Sequence, residues 1–383
     1  MQYKEFGKFG FQASVLGFGA MRLPALADGT CDYERSVPML RRGIDLGINY
    51  LDTAYGYING TSEVAVGKAI KGYDRSKLLI STKIPHASRP EADQFETRLE
   101  TCLRRLDTYI DVLHLHGLTW EHFRAYAAGK GGSIEVVRKA QAQGLVRHLA
   151  FSSHASVEEI RRMIETGEFE SMTVQYNLLD RHNEAVMALA HERGMGVVVM
   201  GPLAGGNLGL MKAPAGSEGA RVGNASIALR FVWANPNVSV AISGMNRMDH
   251  VEENCAIAGR AGALSDEEWG VIDRMVKQNA RLADMYCTGC GYCQPCPNGV
   301  NIPENFRYLI WYKVWGLEEQ ARKAYAELTP QGHYAPWGAD RQWGWISGEK
   351  AEACLQCGEC EPKCPQKIEI VKQLQEVARL LGR

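Results

Sequence analysis

Eight of the eleven cysteines fall in two short ladders late in the chain. The first is Cys287, Cys290, Cys293 and Cys296, followed by Pro297; the second is Cys354, Cys357, Cys360 and Cys364, followed by Pro365. Thiolates at every third position curl onto one turn of backbone and can cap three corners of a 4Fe–4S cube. The fourth cysteine, with proline behind it, points elsewhere, and in chains that hold two such cubes it ligates the other one. One cube is therefore assigned to Cys287, Cys290, Cys293 and Cys364, and the other to Cys354, Cys357, Cys360 and Cys296. Zinc needs only four thiolates in two pairs and leaves four of these eight unused. A disulfide scaffold is a device of short secreted chains, whereas this one has 383 residues and opens on MQYKEFGKFGFQ, without the apolar core of a leader.

The bulk numbers exclude several partners. Net charge is −1, so no long-range field favours nucleic acid or an anionic membrane. Hydrophobic residues make up 45% of the chain, enough for a large core, and no stretch approaches a membrane span. Oxygen-sensitive clusters and free thiols point to a reducing cytoplasm. Cys31, Cys102 and Cys255 are isolated and read as small core or surface residues.

Apolar β-rich runs recur at Ser14–Phe18, Asn49–Ala54, Leu78–Lys83, Asp111–His116, Val146–Ser152, Ser171–Gln175, Gly196–Met200 and Val238–Ile242. Amphipathic stretches such as YERSVPMLRRGIDLG, EADQFETRLETCLRRL and SVEEIRRMIETG lie between them. Near-continuous apolar strands alternating with helices predict a parallel sheet covered by helices, and eight units predict a closed (β/α)8 barrel. The opening YKEFGKFGFQASVLGFG reads as a glycine-turned hairpin capping the barrel's bottom. The chemistry should then sit at the carboxyl ends of the strands.

Ionisable residues gather there. Asp52 closes the second strand, Tyr57 follows five residues later, Lys83 ends the third, and His114 and His116 alternate on the fourth, pointing to one face. Alone, Asp52 could be a helix cap, Lys83 a surface charge and either histidine a satisfied core residue. At matching ends of consecutive strands they describe a converging acid/base site.

The string LDTAYGYINGTSEVAVGKAI resembles the active-site segment of aldo-keto reductases, and STKI and IDVLHLH match that family's next two signatures. VQYNLLDR, PLAGGNL and VEEN resemble its cofactor-binding segments, so the resemblance spans roughly the first 260 residues in order. It implies a catalytic tetrad at Asp52, Tyr57, Lys83 and His116. Tyr55 is the competing tyrosine, but Tyr57 has the family's offset from the aspartate. A phenol ordinarily titrates near 10. A cationic Lys83 is expected to lower it, with Asp52 holding the lysine charged and His116 placing the carbonyl oxygen. The implied reaction passes a hydride between NAD(P)(H) and a carbonyl, with Tyr57 giving or taking the proton. His114 is expected to be a supporting or core residue.

The resemblance also implies a nucleotide site. Ser152, Ser153 and Gln175 would meet the nicotinamide carboxamide, and Gly205 and Gly206 would offer backbone N–H groups to a pyrophosphate. Ala20, Met21, Met200, Leu203, Ser243, Gly244 and Met245 complete the cofactor contacts, and Glu253 and Asn254 reach the adenine. Met200 stands where many members carry an aromatic that stacks on nicotinamide. Gly244 and His250 replace basic residues that grip the 2′-phosphate of NADP, leaving Arg247 as the compensating cation. A flavin is the alternative occupant.

Residues 1–280 form the expected barrel domain and 281–383 the dicluster domain. Between the ladders, the 57 residues from 297 to 353 include PENFRYLIWYKVWGLEEQARKAYAEL, whose apolar spacing predicts helices. The module is similar to the ferredoxin-like parts of respiratory iron–sulfur subunits. Its aromatics Tyr308, Trp311, Tyr312 and Trp315, and the later Trp337, Trp343 and Trp345, read first as packing and second as an electron route. Hydride transfer moves two electrons and each cube passes one, a split that flavins normally make. Three readings follow: a reductase of a small aldehyde, ketone or sugar; an electron-transfer protein exchanging electrons with a barrel-bound flavin or a redox partner protein; and a reductase whose clusters are structural.

Overall fold

The structure, a computed structural model, describes every residue except 27, 86–91, 211–223, 280–286, 288, 290, 314–317, 338–341 and 383. Two compact units emerge, one of Met1–Pro202 with Leu229–Leu264, the other of Leu203–Ala228 with Ser265–Arg383. The boundary expected at 280/281 falls outside the described residues.

The first unit opens with an antiparallel hairpin, β1 (Tyr3–Glu5) and β2 (Gln12–Ser14). Eight strands follow: β3 (Leu16–Gly19), β4 (Tyr50–Asp52), β5 (Leu79–Pro85), β6 (Ile110–His116), β7 (Val146–Ser153), β8 (Ser171–Gln175), β9 (Gly196–Met200) and β10 (Val240–Ser243). They run parallel in chain order, and β10 pairs back onto β3 to close the barrel. Burial on both faces explains their composition, as in β9, where GVVVM is buried at its first four positions.

The expected first and last strands are each shifted by about two residues. Ser14 belongs to the hairpin, because its N–H donates to Asn49 Oδ1 at 2.7 Å and its hydroxyl turns onto Leu16 O at 2.7 Å, making a corner before β3. The hairpin caps the bottom as expected. Phe6, fully buried, packs with Tyr50, Leu79, Val112, Ala150, Val198 and Val240, and Lys4 Nζ donates to the carbonyls of Trp233 and Val238 at 3.1 and 3.0 Å. Closing one end leaves the other for chemistry. The SVEE signal forms a capping box that starts helix Val157–Glu165, with Ser156 and Glu159 each satisfying the other's backbone N–H, a device worth about 1 kcal/mol.

In the second unit, helices Ile302–Lys313, Glu318–Glu327 and Ile370–Leu381 share one core built on Phe306, Tyr308, Leu309, Tyr325, Leu374 and Val377. Tyr308 packs edge-on against Trp311 and Tyr325, with centroids 5.6 and 6.5 Å apart, the packing role expected of this aromatic run. Trp315 lies outside the described residues. An antiparallel hairpin of β11 (His333–Trp337) and β12 (Gln342–Ile346) interrupts the helices; it carries Trp337, Trp343 and Trp345 and was not expected from the helical spacing. Among the described residues, no helix is long and apolar enough to cross a membrane.

Candidate functional site

Strand register brings the predicted acid/base residues together. Asp52 stands opposite Ser81, Lys83 opposite His114, and Pro85 opposite His116. Lys83 Nζ donates to Asp52 Oδ1 at 2.5 Å and to Thr53 O at 2.8 Å, with both charged side chains buried. Ser81 Oγ donates to the second Asp52 oxygen at 3.0 Å, so the carboxylate is held on both sides. The Tyr57 ring centroid lies 4.9 Å from Lys83 Nζ and 6.0 Å from the His116 ring, which it meets edge-on at 82°. His114 is a core residue, its two ring nitrogens engaged by Ser81 at 3.3 Å and Thr173 at 3.0 Å.

The protonation states differ from expectation in one respect. The Tyr57 phenol is held above its ordinary value, by burial first and by the Asp52 carboxylate second. The Lys83 cation 4.9 Å from the ring does not reverse that shift. Tyr57 is therefore a neutral phenol with a proton to give. His116 is pushed down to about 3 by burial, with the Lys83 and His154 charges adding to it, and stands as a neutral imidazole at neutral pH.

Sequence reasoning missed His154, directly after Ser153 at the end of β7. Burial brings it down to about 4, and its charge acts on His116. The signal was available, since FSSHAS places an ionisable residue at a strand end.

The residues expected to meet a nicotinamide gather on the rim of the same unit. Gln175 stands opposite Met200 in the register of β8 and β9, and Ser152 and Ser153 close the adjoining β7. Gln175 Nε2 is buried with no hydrogen-bond partner among the described residues, a donor that fits an amide ligand. Ser152 Oγ accepts from Gly117 N at 3.1 Å, and Ser153 Oγ donates to Leu118 O at 2.6 Å. Ser243 ends β10, where its hydroxyl accepts from Asn254 Nδ2 at 3.2 Å. Ala20 is buried and Met21 exposed just past β3. Gly244 and Glu253 are exposed, whereas the Met245 side chain is fully buried, so only its backbone could face a ligand.

Two observations bear on the cofactor expectations. Gly206 N–H donates to Leu203 O at 2.9 Å, so this amide is committed to its own turn rather than offered to a pyrophosphate. Arg247 is paired with Asp249, Nε to Oδ1 at 2.9 Å and Nη2 to Oδ2, so the cation meant to compensate for Gly244 and His250 is already neutralised.

In the second unit the thiols ring two cavities. One is lined by Cys354, Cys357 and Cys360 together with Cys296 and Cys293. The other is lined by Cys287 and Cys293 together with Cys364 and Pro365. Each ladder's fourth cysteine thus lines a cavity together with cysteines of the other ladder, and Cys293 lines both; Cys290 lies outside the described residues. The two ladders share a backbone device: Gly289 and Gln356, then Gly291 and Gly358, all take positive φ at equivalent positions. Those turns let the Gly289 and Gln356 amides donate to the Cys287 and Cys354 sulfurs at 3.4 Å each. Among the described residues, no three His, Cys, Asp or Glu side chains converge tightly enough for a single ion.

Comparison with known proteins agrees with both halves. Residues 15–216 match the aldo/keto reductase family model, and residues 286–369 match the 4Fe-4S dicluster domain. The uncharacterized oxidoreductase YqkF of Bacillus subtilis is 27% identical over 314 residues, covering 73% of this chain and 98% of its own. Among solved structures, aldo-keto reductase AKR11C1 from Bacillus halodurans in its holo form superposes with a TM-score of 0.60 at 28% identity, covering 72% of this chain and 96% of its own. An aldo/keto reductase from Klebsiella pneumoniae in complex with NADP and acetate gives a TM-score of 0.60 at 25% identity, covering 72% and 95%.

Proposed function

Because the chain belongs to the aldo/keto reductase family and carries a 4Fe-4S dicluster domain, we propose that it interconverts a carbonyl and an alcohol on a small aldehyde, ketone or sugar, using NAD(P)(H). The observation that carries this reading is the buried Asp52–Lys83 pair with the neutral phenol of Tyr57 beside it and the neutral imidazole of His116 against that phenol. A nicotinamide, when bound, supplies or takes up the hydride. The chain's own residues do the rest. Tyr57 gives its proton to the carbonyl oxygen, the Lys83 cation steadies the oxygen that results, and His116 donates or accepts one hydrogen bond to orient that oxygen. The unpartnered Gln175 amide, with Ser152 and Ser153 alongside, suits the carboxamide of the nicotinamide.

The test is anaerobic purification followed by NADH and NADPH oxidation against a panel of aldehydes, ketones and sugars, with iron, sulfide and flavin measured on the same sample. Oxidation that requires a carbonyl and disappears in Tyr57→Phe supports the reading. Carbonyl-independent oxidation sinks it.

One observation favours a second reading, in which the clusters pass electrons to a barrel-bound flavin or a redox partner protein. Cys357 is exposed, and its neighbour Leu355 is 74% exposed, which leaves this ladder approachable from solvent. Bleaching of the cluster absorbance by NADH without any carbonyl is the result that this reading requires and the first does not.

A further inference from the structure

The turn that carries Tyr57 is strained, and a part-buried ion pair lies behind it. Ile58, Asn59 and Gly60 take φ of 51°, 51° and 78°, three consecutive residues in the left-handed region. Glycine tolerates that conformation, but a β-branched residue such as Ile58 is an outlier there, and such strain persists only where the surroundings over-determine it. The Tyr57 carbonyl is gripped from within the turn by the N–H groups of Gly60 at 3.0 Å and Ser62 at 3.3 Å. From outside, Arg105 Nη1 donates to Tyr55 O at 2.8 Å, and its carbon Cζ lies 4.9 Å from the Tyr55 ring centroid. The guanidinium also fills the space beside Gly60, where a Cβ would come within 2.6 Å of Nη2.

Glu63 fixes Arg105. Its carboxyl is fully buried, with Oε2 3.2 Å from Arg105 Nη1 and Oε1 accepting from Thr82 Oγ1 at 2.6 Å. Thr82 is the residue before Lys83 on β5. One carboxylate thus joins the strand that carries Lys83 to the arginine that braces the Tyr57 turn. An ion pair with one buried partner is weak evidence of stabilisation, since apolar side chains of similar volume often do as well. Its value here is geometric.

We propose that Glu63 and Arg105 are positioning residues that set the Tyr57 phenol against Lys83. The inference rests on Tyr57 being the proton donor. Arg105→Lys keeps a charge for Glu63 but has no fork to span Tyr55 O and Gly60 together. Glu63→Leu/Arg105→Met removes the bracing without leaving an unpaired buried carboxylate. Hydrogen exchange of the 54–63 segment, read by mass spectrometry, is compared with steady-state kinetics for both variants in the intact chain. The expected result is exchange at this segment at least about tenfold faster, with kcat down on the order of 10- to 100-fold and KM little changed, because small misplacements of a reacting group cost on that scale. Unchanged exchange in a folded variant overturns the proposal, and so does faster exchange with kcat intact. If Tyr57→Phe itself keeps full turnover, the donor assignment fails, while the exchange data still decide whether the pair holds the turn.

Discussion

Lys83 Nζ lies 2.5 Å from Asp52 Oδ1, with the two side chains only 2% and 1% exposed. Two charges this deep are tolerated because each meets its opposite and Asp52 takes a further bond from Ser81. Asp52→Asn should therefore strand a buried ammonium and cost about 3–5 kcal/mol of stability. Asp52→Asn/Lys83→Met should recover most of that loss yet remain inactive. Urea unfolding of both variants checks the first half and turnover the second; an active double variant would remove Lys83 from the reaction.

Tyr57→Phe should lower kcat by about 10²–10⁴-fold, the usual size of a general acid's contribution, and leave nucleotide affinity near the parent value. Because burial and Asp52 hold the phenol above its ordinary 10, it keeps its proton across the neutral range. Carbonyl reduction should accordingly show no loss from phenol ionisation up to about pH 9. Alcohol oxidation, which needs the phenol as base, should instead accelerate as pH rises. A reduction rate that falls through pH 7–8, about two units below the ordinary phenol value, would contradict the protonation state argued above.

His116 and His154 are held at about 3 and about 4 in the folded chain, both primarily by burial. An unfolded histidine titrates near 6.5. Below that pH the unfolded state takes up protons that the folded state refuses, so stability is full above about 6.5 and declines as pH falls toward 3–4. The melting temperature should drop between pH 7 and pH 5, and His116→Gln/His154→Gln should flatten the drop. An equal slope in parent and variant would show that these imidazoles are not the groups responsible.

The barrel was legible because its signals are local: eight apolar runs of strand length, each followed by a helical pattern, have few other ways to bury themselves. The Asp52, Lys83 and His116 placements followed from strand ends and the period of two. The Tyr57 protonation state did not follow, because it depends first on how deeply the phenol is buried and second on how near the Asp52 carboxylate comes, and tertiary packing sets both. Glu63 and Arg105 were illegible for a related reason. They lie 42 residues apart and meet only after helices Ser62–Ala69 and Ala92–Leu106 pack together. The β11–β12 hairpin was hidden by helix formers that surround it.

The crossed ladders make a prediction that simple sequence proximity does not. Cys364 lines the cavity of Cys287 and Cys293, and Cys296 lines that of Cys354, Cys357 and Cys360. Cys296→Ser and Cys357→Ser should therefore perturb the same cluster, and Cys364→Ser and Cys287→Ser the other. Iron content should fall from about eight to about four per chain in each, two cubes becoming one. Electron paramagnetic resonance of the reduced variants should sort them into these two pairs. Pairing of Cys296→Ser with Cys287→Ser would refute the crossing.

The pairing of Arg247 with Asp249 leads to an expected nucleotide preference for the barrel. The family resemblance puts the 2′-phosphate of NADP near Gly244, Arg247 and His250. Gly244 offers no side chain there, and Arg247 has both its Nε and Nη2 engaged by the Asp249 carboxylate. A 2′-phosphate would have to displace that carboxylate and then bear its charge, whereas the ribose hydroxyl of NAD faces neither cost and can donate to a carboxylate. The chain should bind NADH more tightly than NADPH. Asp249→Asn should take this carboxylate away from the guanidinium and strengthen NADPH binding about tenfold or more, on the scale of one charge-assisted hydrogen bond, while changing NADH affinity little. Fluorescence titration of both nucleotides against parent and variant measures this without relying on turnover. Equal affinity for the two nucleotides in the parent chain would show that the Arg247–Asp249 pair opens on binding and that its neutralised state does not set the preference.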